Sequence, residues 1–306
     1  MPLLTEIGSI NIRNPLILAS GVMGTSYSTL QRIYDGGVGA VITKSIGISS
    51  RKGNPNPSIF ALSEIRSVIN SVGLANPGYQ VFRKDIEILV KNKVPTIISI
   101  FGENENEFSS VLNGLKDLPV LAFELNLSCP NTEKGGIQIG TDKDAVFQIV
   151  KNLKSETEIP LWVKLTPNVS DVIEIADAAV RAGCDAIVAI NTLKAMVIDI
   201  QTKQPILGFK RGGLSGAAIK PIGVRYIYDL YERFEDKVPL IGVGGIMSGE
   251  DVIEYLLAGA SAVEIGTALG VAYPENMTKF FISKIKKYMK EHKINSIKEI
   301  TGGAHK

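Results

Sequence analysis

Histidine and cysteine are scarce in this sequence of 306 residues. The only histidines are His292 and His305, close to the C-terminus, and the only cysteines are Cys129 and Cys184. A Ser-His-Asp triad or a histidine-ligated metal site would have to recruit the tail, so we expect neither. Two cysteines make no disulfide framework and fit a reducing cytoplasm. Proton transfer must therefore use another group.

The sequence also lacks a charge imbalance and a long apolar run. It carries 33 basic and 31 acidic residues, a net charge of +2, which is no electrostatic footprint for nucleic acid. No apolar run reaches the ~18 residues that span a bilayer, and the N-terminus does not resemble a signal peptide. We expect a globular cytoplasmic protein that binds neither nucleic acid nor membrane.

A repeated pattern of a short apolar run, a loop and a helical stretch organises the chain. Eight runs rich in Val, Ile and Leu cover residues 15–19, 40–43, 96–100, 120–125, 161–165, 186–190, 240–243 and 262–265. They do not alternate with polar residues, as expected for strands buried on both faces. Eight strand-then-helix units imply parallel strands joined by right-handed crossovers. The pattern predicts an α/β fold, a (β/α)8 TIM barrel, as a single domain over residues 1–306.

Three further features complete the predicted fold. Residues 3–12 read as a β-hairpin around Gly8 that covers the bottom of the barrel. Long insertions follow strands 2 and 6, over about residues 44–78 and 191–221. Such barrels place their active sites on this face. Ser170 is the predicted N-cap of the helix over residues 171–182.

Polar or small residues stand at the C-terminal end of every predicted strand, where a barrel brings them to one mouth. They are Ser20, Lys44, Ser99, Asn126, Lys164, Asn191, the pair Gly244 and Gly245, and the pair Gly266 and Thr267. Each residue alone could be a turn former or a solvated side chain. Together they predict a site.

The residue types indicate a ligand with a phosphate and a polar ring. Small residues after strands 7 and 8 occupy the standard phosphate position of these barrels. Lys44 and Lys164 could meet anionic groups or form a Schiff base, and Asn126 and Asn191 suit a ring with amide-like edges. Cys129 follows strand 4, where a thiolate beside lysines could act as a base. Cys184 precedes strand 6, at the opposite end, and is predicted to be structural.

The motifs that carry these residues resemble those of the class 1 dihydroorotate dehydrogenases. The resemblance extends from residue 19 nearly to the C-terminus, and its most specific motifs are NSVGLANPG at 70–78 and ELNLSCPN at 124–131. Further matches are ASG at 19–21, TKS at 43–45, VKLTPN at 163–168, NTL at 191–193, GGLSG at 212–216, GG at 244–245 and GT at 266–267.

The resemblance implies a flavin enzyme that binds FMN and oxidises dihydroorotate to orotate. It implies that FMN is held by Ser20, Thr43, Lys44, Ser99, Asn126, Lys164, Ile190, Gly216, Gly244, Gly245, Gly266 and Thr267. Dihydroorotate would be held by Lys44, Asn70, Ser71, Val72, Gly73, Leu74, Asn126, Asn191 and Thr192. Cys129 would be the catalytic base. Ser99 departs from the family, which usually has asparagine there.

Details at 75–78, 134–142 and 198–221 resemble subclass 1B. This similarity implies a homodimeric catalytic core that works with an electron-transfer subunit carrying FAD and a [2Fe-2S] cluster. Two cysteines cannot ligate such a cluster, and the chain has no G-x-G-x-x-G fingerprint. Three alternatives stay open: a fumarate-using enzyme of subclass 1A, a Schiff-base aldolase-type barrel, and a flavin-binding subunit without turnover.

Overall fold

The computed structural model describes residues 3–127, 130–131, 137–271 and 273–306. Its strands, in chain order, are β1 (Thr5–Ile7), β2 (Ile10–Ile12), β3 (Leu16–Leu18), β4 (Ala40–Ile42), β5 (Ile59–Leu62), β6 (Ser67–Asn70), β7 (Thr96–Ile100), β8 (Ala122–Asn126), β9 (Pro130–Asn131), β10 (Ile137–Gln138), β11 (Leu161–Leu165), β12 (Ala186–Ala189), β13 (Leu193–Ala195), β14 (Ile198–Asp199), β15 (Gln204–Pro205), β16 (Gly212–Gly216), β17 (Leu240–Val243) and β18 (Ala262–Ile265).

The α-helices lie between and around these strands. They are α1 (Tyr27–Asp35), α2 (Tyr79–Lys91), α3 (Glu105–Asn113), α4 (Lys143–Glu156), α5 (Val172–Arg181), α6 (Lys220–Phe234), α7 (Gly249–Leu257), α8 (Thr267–Val271) and α9 (Pro274–Glu291). No helix within the described ranges combines the length and the apolar character that crossing a membrane requires.

Eight strands close into a parallel barrel in the order β3-β4-β7-β8-β11-β12-β17-β18, with β18 pairing back to β3. This confirms the predicted (β/α)8 fold. The barrel strands lie within the predicted apolar runs, except that β8 extends one residue further, to Asn126. Such runs form parallel strands because each strand is covered on one face by barrel interior and on the other by helices.

The two faces of each barrel strand contribute to separate cores. One core packs strand residues such as Leu16 and Val163 against the helices, and the other fills the barrel interior with residues such as Ile17 and Trp162. The interior core also contains Ile7, Ile10 and Ile12 from the antiparallel β1–β2 hairpin. The hairpin therefore covers the bottom of the barrel, as predicted.

The two long insertions pair with each other above the opposite end of the barrel. Strands β5 and β6 come from the first insertion and β13 and β16 from the second. They form one antiparallel sheet in the order β13-β16-β6-β5. The sequence located both insertions, but their pairing depends on barrel closure.

One predicted helix cap is wrong. Helix α5 begins after Asp171, not Ser170, and the Asp171 side chain accepts hydrogen bonds from the backbone N–H groups of Ile173, at 2.8 Å, and Glu174, at 3.4 Å. An ionised carboxylate at this position also interacts favourably with the positive end of the helix dipole.

Candidate active site

A cavity of about 570 Å³ opens at the C-terminal ends of the barrel strands. Its floor and walls come from these strand ends, and residues of β6 and β16 in the insertion sheet also line it. The volume lies in the range of about 300–1,000 Å³ that is common for small-molecule sites. The fold therefore builds one concave site where the sequence predicts it.

Most of the predicted site residues line this cavity. Those predicted to bind FMN are Ser20, Lys44, Asn126, Lys164, Ile190, Gly216, Gly244, Gly245, Gly266 and Thr267. Those predicted to bind the substrate are Asn70, Ser71, Val72, Gly73, Leu74, Asn191 and Thr192, together with Lys44 and Asn126. Residues separated by most of the chain length therefore meet in one place.

Two predicted residues, Thr43 and Ser99, lie behind the cavity wall and are fully buried. The backbone N–H of Ser99 donates to the Thr43 hydroxyl at 3.1 Å, and the Ser99 and Ser45 hydroxyls are 2.9 Å apart. Ser45 in turn accepts a hydrogen bond from the Asn126 amide at 3.0 Å. Ser99 thus supports a residue of the cavity wall, and its predicted contact with a cofactor stays a prediction.

Cys129, the predicted base, lies outside the described residues, as does part of the 134–142 segment. In the sequence, Cys129 comes three positions after Asn126, which lines the cavity. Its role therefore rests on the sequence.

Polar side chains from the strand ends and the insertions surround the cavity. The Asn191 amide lies 3.5 Å from the Asn126 side-chain oxygen, and the Asn191 oxygen accepts the Thr192 backbone N–H at 2.7 Å. The buried hydroxyl of Ser71 has no hydrogen-bond partner among the described residues.

The glycines after β17 keep the backbone close to the cavity. Gly244 and Gly245 have φ values of 130° and 70°, a region that glycine enters freely and other residues enter at a cost. A Cβ at Gly245 would lie 2.6 Å from the backbone nitrogen of Lys220. Tyr255 is buried below the turn, and its hydroxyl donates to the Gly244 carbonyl at 2.6 Å.

Gly21 and Gly266 leave open space in the same cavity. A Cβ on Gly21 would meet no atom within 4 Å, and one on Gly266 would approach no atom closer than 3.5 Å. A side chain at either position would take up room in the cavity instead of clashing with the protein. The glycines therefore form a cradle that fits a ligand phosphate bound by backbone N–H groups.

Lys44 and Lys164 bring positive charge to the cavity in different surroundings. Burial lowers the pKa of Lys44, and no carboxylate among the described residues opposes this effect. Burial also opposes the charge on Lys164, but Glu124 and Glu264 outweigh this effect and raise the pKa of Lys164. Lys164 is therefore a fixed cation, and a neutral amine for Schiff-base chemistry is disfavoured there.

Glu124 and Glu264 are site residues that the sequence did not predict. The Lys164 ammonium contacts their Oε2 atoms at 3.2 Å and 2.5 Å. Both carboxylates are buried, and Glu264 also lines the cavity. A signal was present, because Glu124, Lys164 and Glu264 are the three titratable residues within the eight barrel strands.

The cavity is lined by cations, amides, hydroxyls and glycine backbone, together with apolar residues such as Ile190 and Val243. This arrangement suits a planar ligand with polar edges and a phosphate, together with a second anionic molecule near Lys44. In the described part of the chain, no three His, Cys, Asp or Glu side chains gather as metal ligands.

Comparisons with known proteins agree with this chemistry. The family model for dihydroorotate dehydrogenase matches residues 2–291. Proteins named dihydroorotate dehydrogenase B (NAD(+)), catalytic subunit, are similar over nearly their whole length. The protein of Methanocella arvoryzae is 47% identical over 100% of this chain and 99% of its own. That of Methanocaldococcus jannaschii is 47% identical over 98% and 97%, and that of Pyrococcus furiosus 44% over 100% of both.

Proposed function

The chain belongs to the dihydroorotate dehydrogenase family, and we propose that it oxidises dihydroorotate to orotate in pyrimidine biosynthesis as the catalytic subunit of a B-type enzyme. The observation that carries this proposal is the cavity of about 570 Å³, which gathers most of the residues that the family resemblance assigns to the site. We also propose that residues 1–306 act as one FMN-binding domain.

The family is flavin-dependent, and we propose FMN as the flavin. The glycine cradle at Gly21, Gly244, Gly245 and Gly266 has room for its single phosphate. When bound, FMN supplies a hydride acceptor. Lys164 would hold its ammonium at the flavin edge on which reduction places negative charge, because electrostatic stabilisation there favours the reduced state.

Lys44 and the asparagines would bind and orient the substrate. The Lys44 ammonium is the partner that we assign to the dihydroorotate carboxylate, since burial strengthens an ion pair of this kind. Asn70, Asn126 and Asn191 carry both donors and acceptors for the amide-like ring edges.

Cys129 is the proposed base that removes the C5 proton of dihydroorotate while hydride leaves C6. Two features support it. Cys129 follows the cavity-lining residue Asn126 by three positions, and both histidines belong to the C-terminal tail. A thiolate near lysines has a lowered pKa and is a competent base.

The B-type relatives fit an NAD-linked enzyme better than the fumarate-using alternative. Their name includes the term catalytic subunit, which implies a partner subunit. We propose that this partner is an electron-transfer subunit carrying FAD and a [2Fe-2S] cluster, bound to a homodimeric core of this chain in the cytoplasm.

The visible spectrum tests the function directly. Purified protein should be yellow, release FMN on denaturation, and bleach when dihydroorotate is added without oxygen, with orotate as the product. A colourless protein that substrate plus borohydride inactivates would instead identify a Schiff-base enzyme. A yellow protein that dihydroorotate does not bleach would identify a subunit without turnover.

A further inference from the structure

Three charged side chains meet inside the barrel between the bottom apolar layer and the cavity. Glu124, Lys164 and Glu264 lie on β8, β11 and β18, and we call them the buried triad. Their exposed fractions are 0%, 6% and 1%. Two positions earlier in each of these strands, nearer the bottom of the barrel, the interior core contains Ala122, Trp162 and Ala262.

Barrel closure produces this contact. Glu124 faces Trp162 in the β8–β11 register and Lys164 lies two residues further on, so both side chains point inward. Glu264 reaches Lys164 from the other side of the barrel, from a strand between β17 and β3. Neither of those strands carries a titratable side chain. The charges acting on Glu264 are therefore those of Glu124 and Lys164.

The contacts leave the two carboxyl groups short of donors. Lys164 supplies its ammonium to both Oε2 atoms, while the Oε1 atom of each carboxyl has no hydrogen-bond donor among the described residues. One ammonium balances only one carboxylate, so with both carboxyl groups ionised the triad would hold an uncompensated negative charge, which is costly at a buried site.

The electrostatics of burial point in the same direction. Burial and the neighbouring Glu124 raise the pKa of Glu264 well above its ordinary value. Burial also opposes ionisation of Glu124, but Lys164 and hydrogen bonds outweigh it and lower that pKa. When two carboxyl groups share one buried site, the pKa of one of them is strongly raised, and their protons titrate as properties of the pair.

We propose that Glu124 and Glu264 share one proton at neutral pH, so that the buried triad is electrically neutral and presents Lys164 to the flavin as a fixed cation. The carboxyl groups are positioning residues that act through Lys164. This inference rests on the proposed function only for the identity of the ligand, since the contacts within the triad belong to the chain itself.

A shared proton makes a distinctive prediction for glutamine variants. In Glu264→Gln, Glu124 stays ionised opposite Lys164 and the net charge remains zero. In Glu124→Gln, the remaining Glu264 loses its like-charged neighbour and ionises, so the net charge is again zero. In the double variant neither side chain can ionise, so the single negative charge of the pair is gone and the triad carries the positive charge of Lys164.

The midpoint potential of the bound flavin reports this charge. It is measured at neutral pH by anaerobic reduction in equilibrium with a redox dye. We expect each single variant to match the wild type and the double variant to shift to a more positive potential. Glu250→Gln is the matched control, because Glu250 pairs with Lys284 on the exposed surface.

Other patterns would overturn the proposal. A positive shift in each single variant would mean that both carboxylates are ionised in the wild type. A shift in Glu124→Gln alone, or in Glu264→Gln alone, would place the proton permanently on one residue. If the double variant does not fold, the two single variants still separate these cases.

Infrared spectroscopy of the FMN-free protein provides an independent test. Among the described residues, Glu124 and Glu264 are the buried acids. The wild type and Glu250→Gln should therefore show a carboxylic acid C=O band at neutral pH that both single variants of the triad lose. Absence of the band from the wild type, or its persistence in both variants, would contradict the shared proton. A protein that binds no flavin would refute the proposed function and leave this result intact.

Discussion

Cys184 illustrates how burial changes the chemistry of one residue. It lies just before β12, at the end of the barrel opposite the cavity, and burial together with Asp185 raises the pKa of its thiol to about 12. This agrees with the structural role that the sequence predicts. A protonated, half-buried thiol is a poor nucleophile.

The raised pKa of Cys184 predicts a loss of stability in alkali. Above the ordinary thiol pKa of about 8.5, the unfolded chain releases this proton while the folded chain keeps it. The free energy of unfolding should therefore fall as pH rises toward about 12, with a contribution of about 1.4 kcal/mol per pH unit. Urea titrations of wild type and Cys184→Ala measure it as the difference in slope. Equal slopes would show that the thiol titrates normally when folded.

Cys129 has the opposite predicted role. Cys129→Ala should retain FMN and orotate but bleach with dihydroorotate ~10²–10⁴-fold more slowly, the usual cost of losing a general base. Stopped-flow flavin absorbance without oxygen measures the rate. Cys184→Ala is the matched control and should bleach at the wild-type rate. If Cys129→Ala is as fast as the wild type at neutral pH, another group is the base.

At the scale of secondary structure, capping of α5 separates two adjacent residues. Asp171→Ala should lower the free energy of unfolding by about 1 kcal/mol, because it removes the side-chain oxygen that accepts hydrogen bonds from the first turn. Ser170→Ala should leave the stability unchanged, since Ser170 lies outside the helix and is exposed. Urea denaturation measures the free energy of unfolding of the two variants. A larger loss of stability in Ser170→Ala would show that Ser170 is the N-cap, as the sequence suggested.

Pairing of the insertions shows how elements distant in sequence complete the site. Strands β6 and β16 join antiparallel, with Asn70 opposite Gly213 and Ser67 opposite Gly216. The Asn70 amide also donates to the Gly213 carbonyl at 3.3 Å. Asn70 is a predicted substrate-binding residue of the first insertion, and Gly216 is a predicted cofactor-binding residue of the second. They therefore lie on neighbouring strands of one sheet above the cavity.

At the scale of the whole molecule, the isolated chain should accept electrons from dihydroorotate but not pass them to NAD. Hydride transfer needs donor and acceptor about 3–3.5 Å apart, and the substrate would occupy the accessible flavin face. A distant acceptor requires a one-electron carrier, for which two cysteines supply too few ligands.

Anaerobic mixing of the purified chain with dihydroorotate and NAD tests this prediction. The flavin should bleach while NADH absorbance stays flat, and an artificial dye acceptor should restore turnover. Fumarate in a parallel sample tests the alternative acceptor. Steady NADH formation by the chain alone would eliminate the need for an electron-transfer subunit.

Much of the site could be predicted because its information is local. Each apolar run and the polar residue after it can be recognised within a few positions of the sequence. Because the strands are parallel, these polar residues lie at the same end of the barrel, independent of loop conformation. Lys44, Asn126 and Lys164 were found in this way. The family motifs then assigned chemistry to residues such as Asn70 and Leu74, whose side-chain types alone specify little.

The sequence by itself determined the eight barrel strands, the bottom hairpin, the insertions and most cavity residues. Each of these features depends on residue types at positions that are close together in the chain. Only the tertiary structure decided how Glu124, Lys164 and Glu264 meet, since the ammonium and its partners are 40 and 100 residues apart in the chain. It likewise decided that Ser99 lies behind Ser45 and that the insertions form one sheet. Closure of the barrel sets these contacts, and with them the charge state of its buried groups.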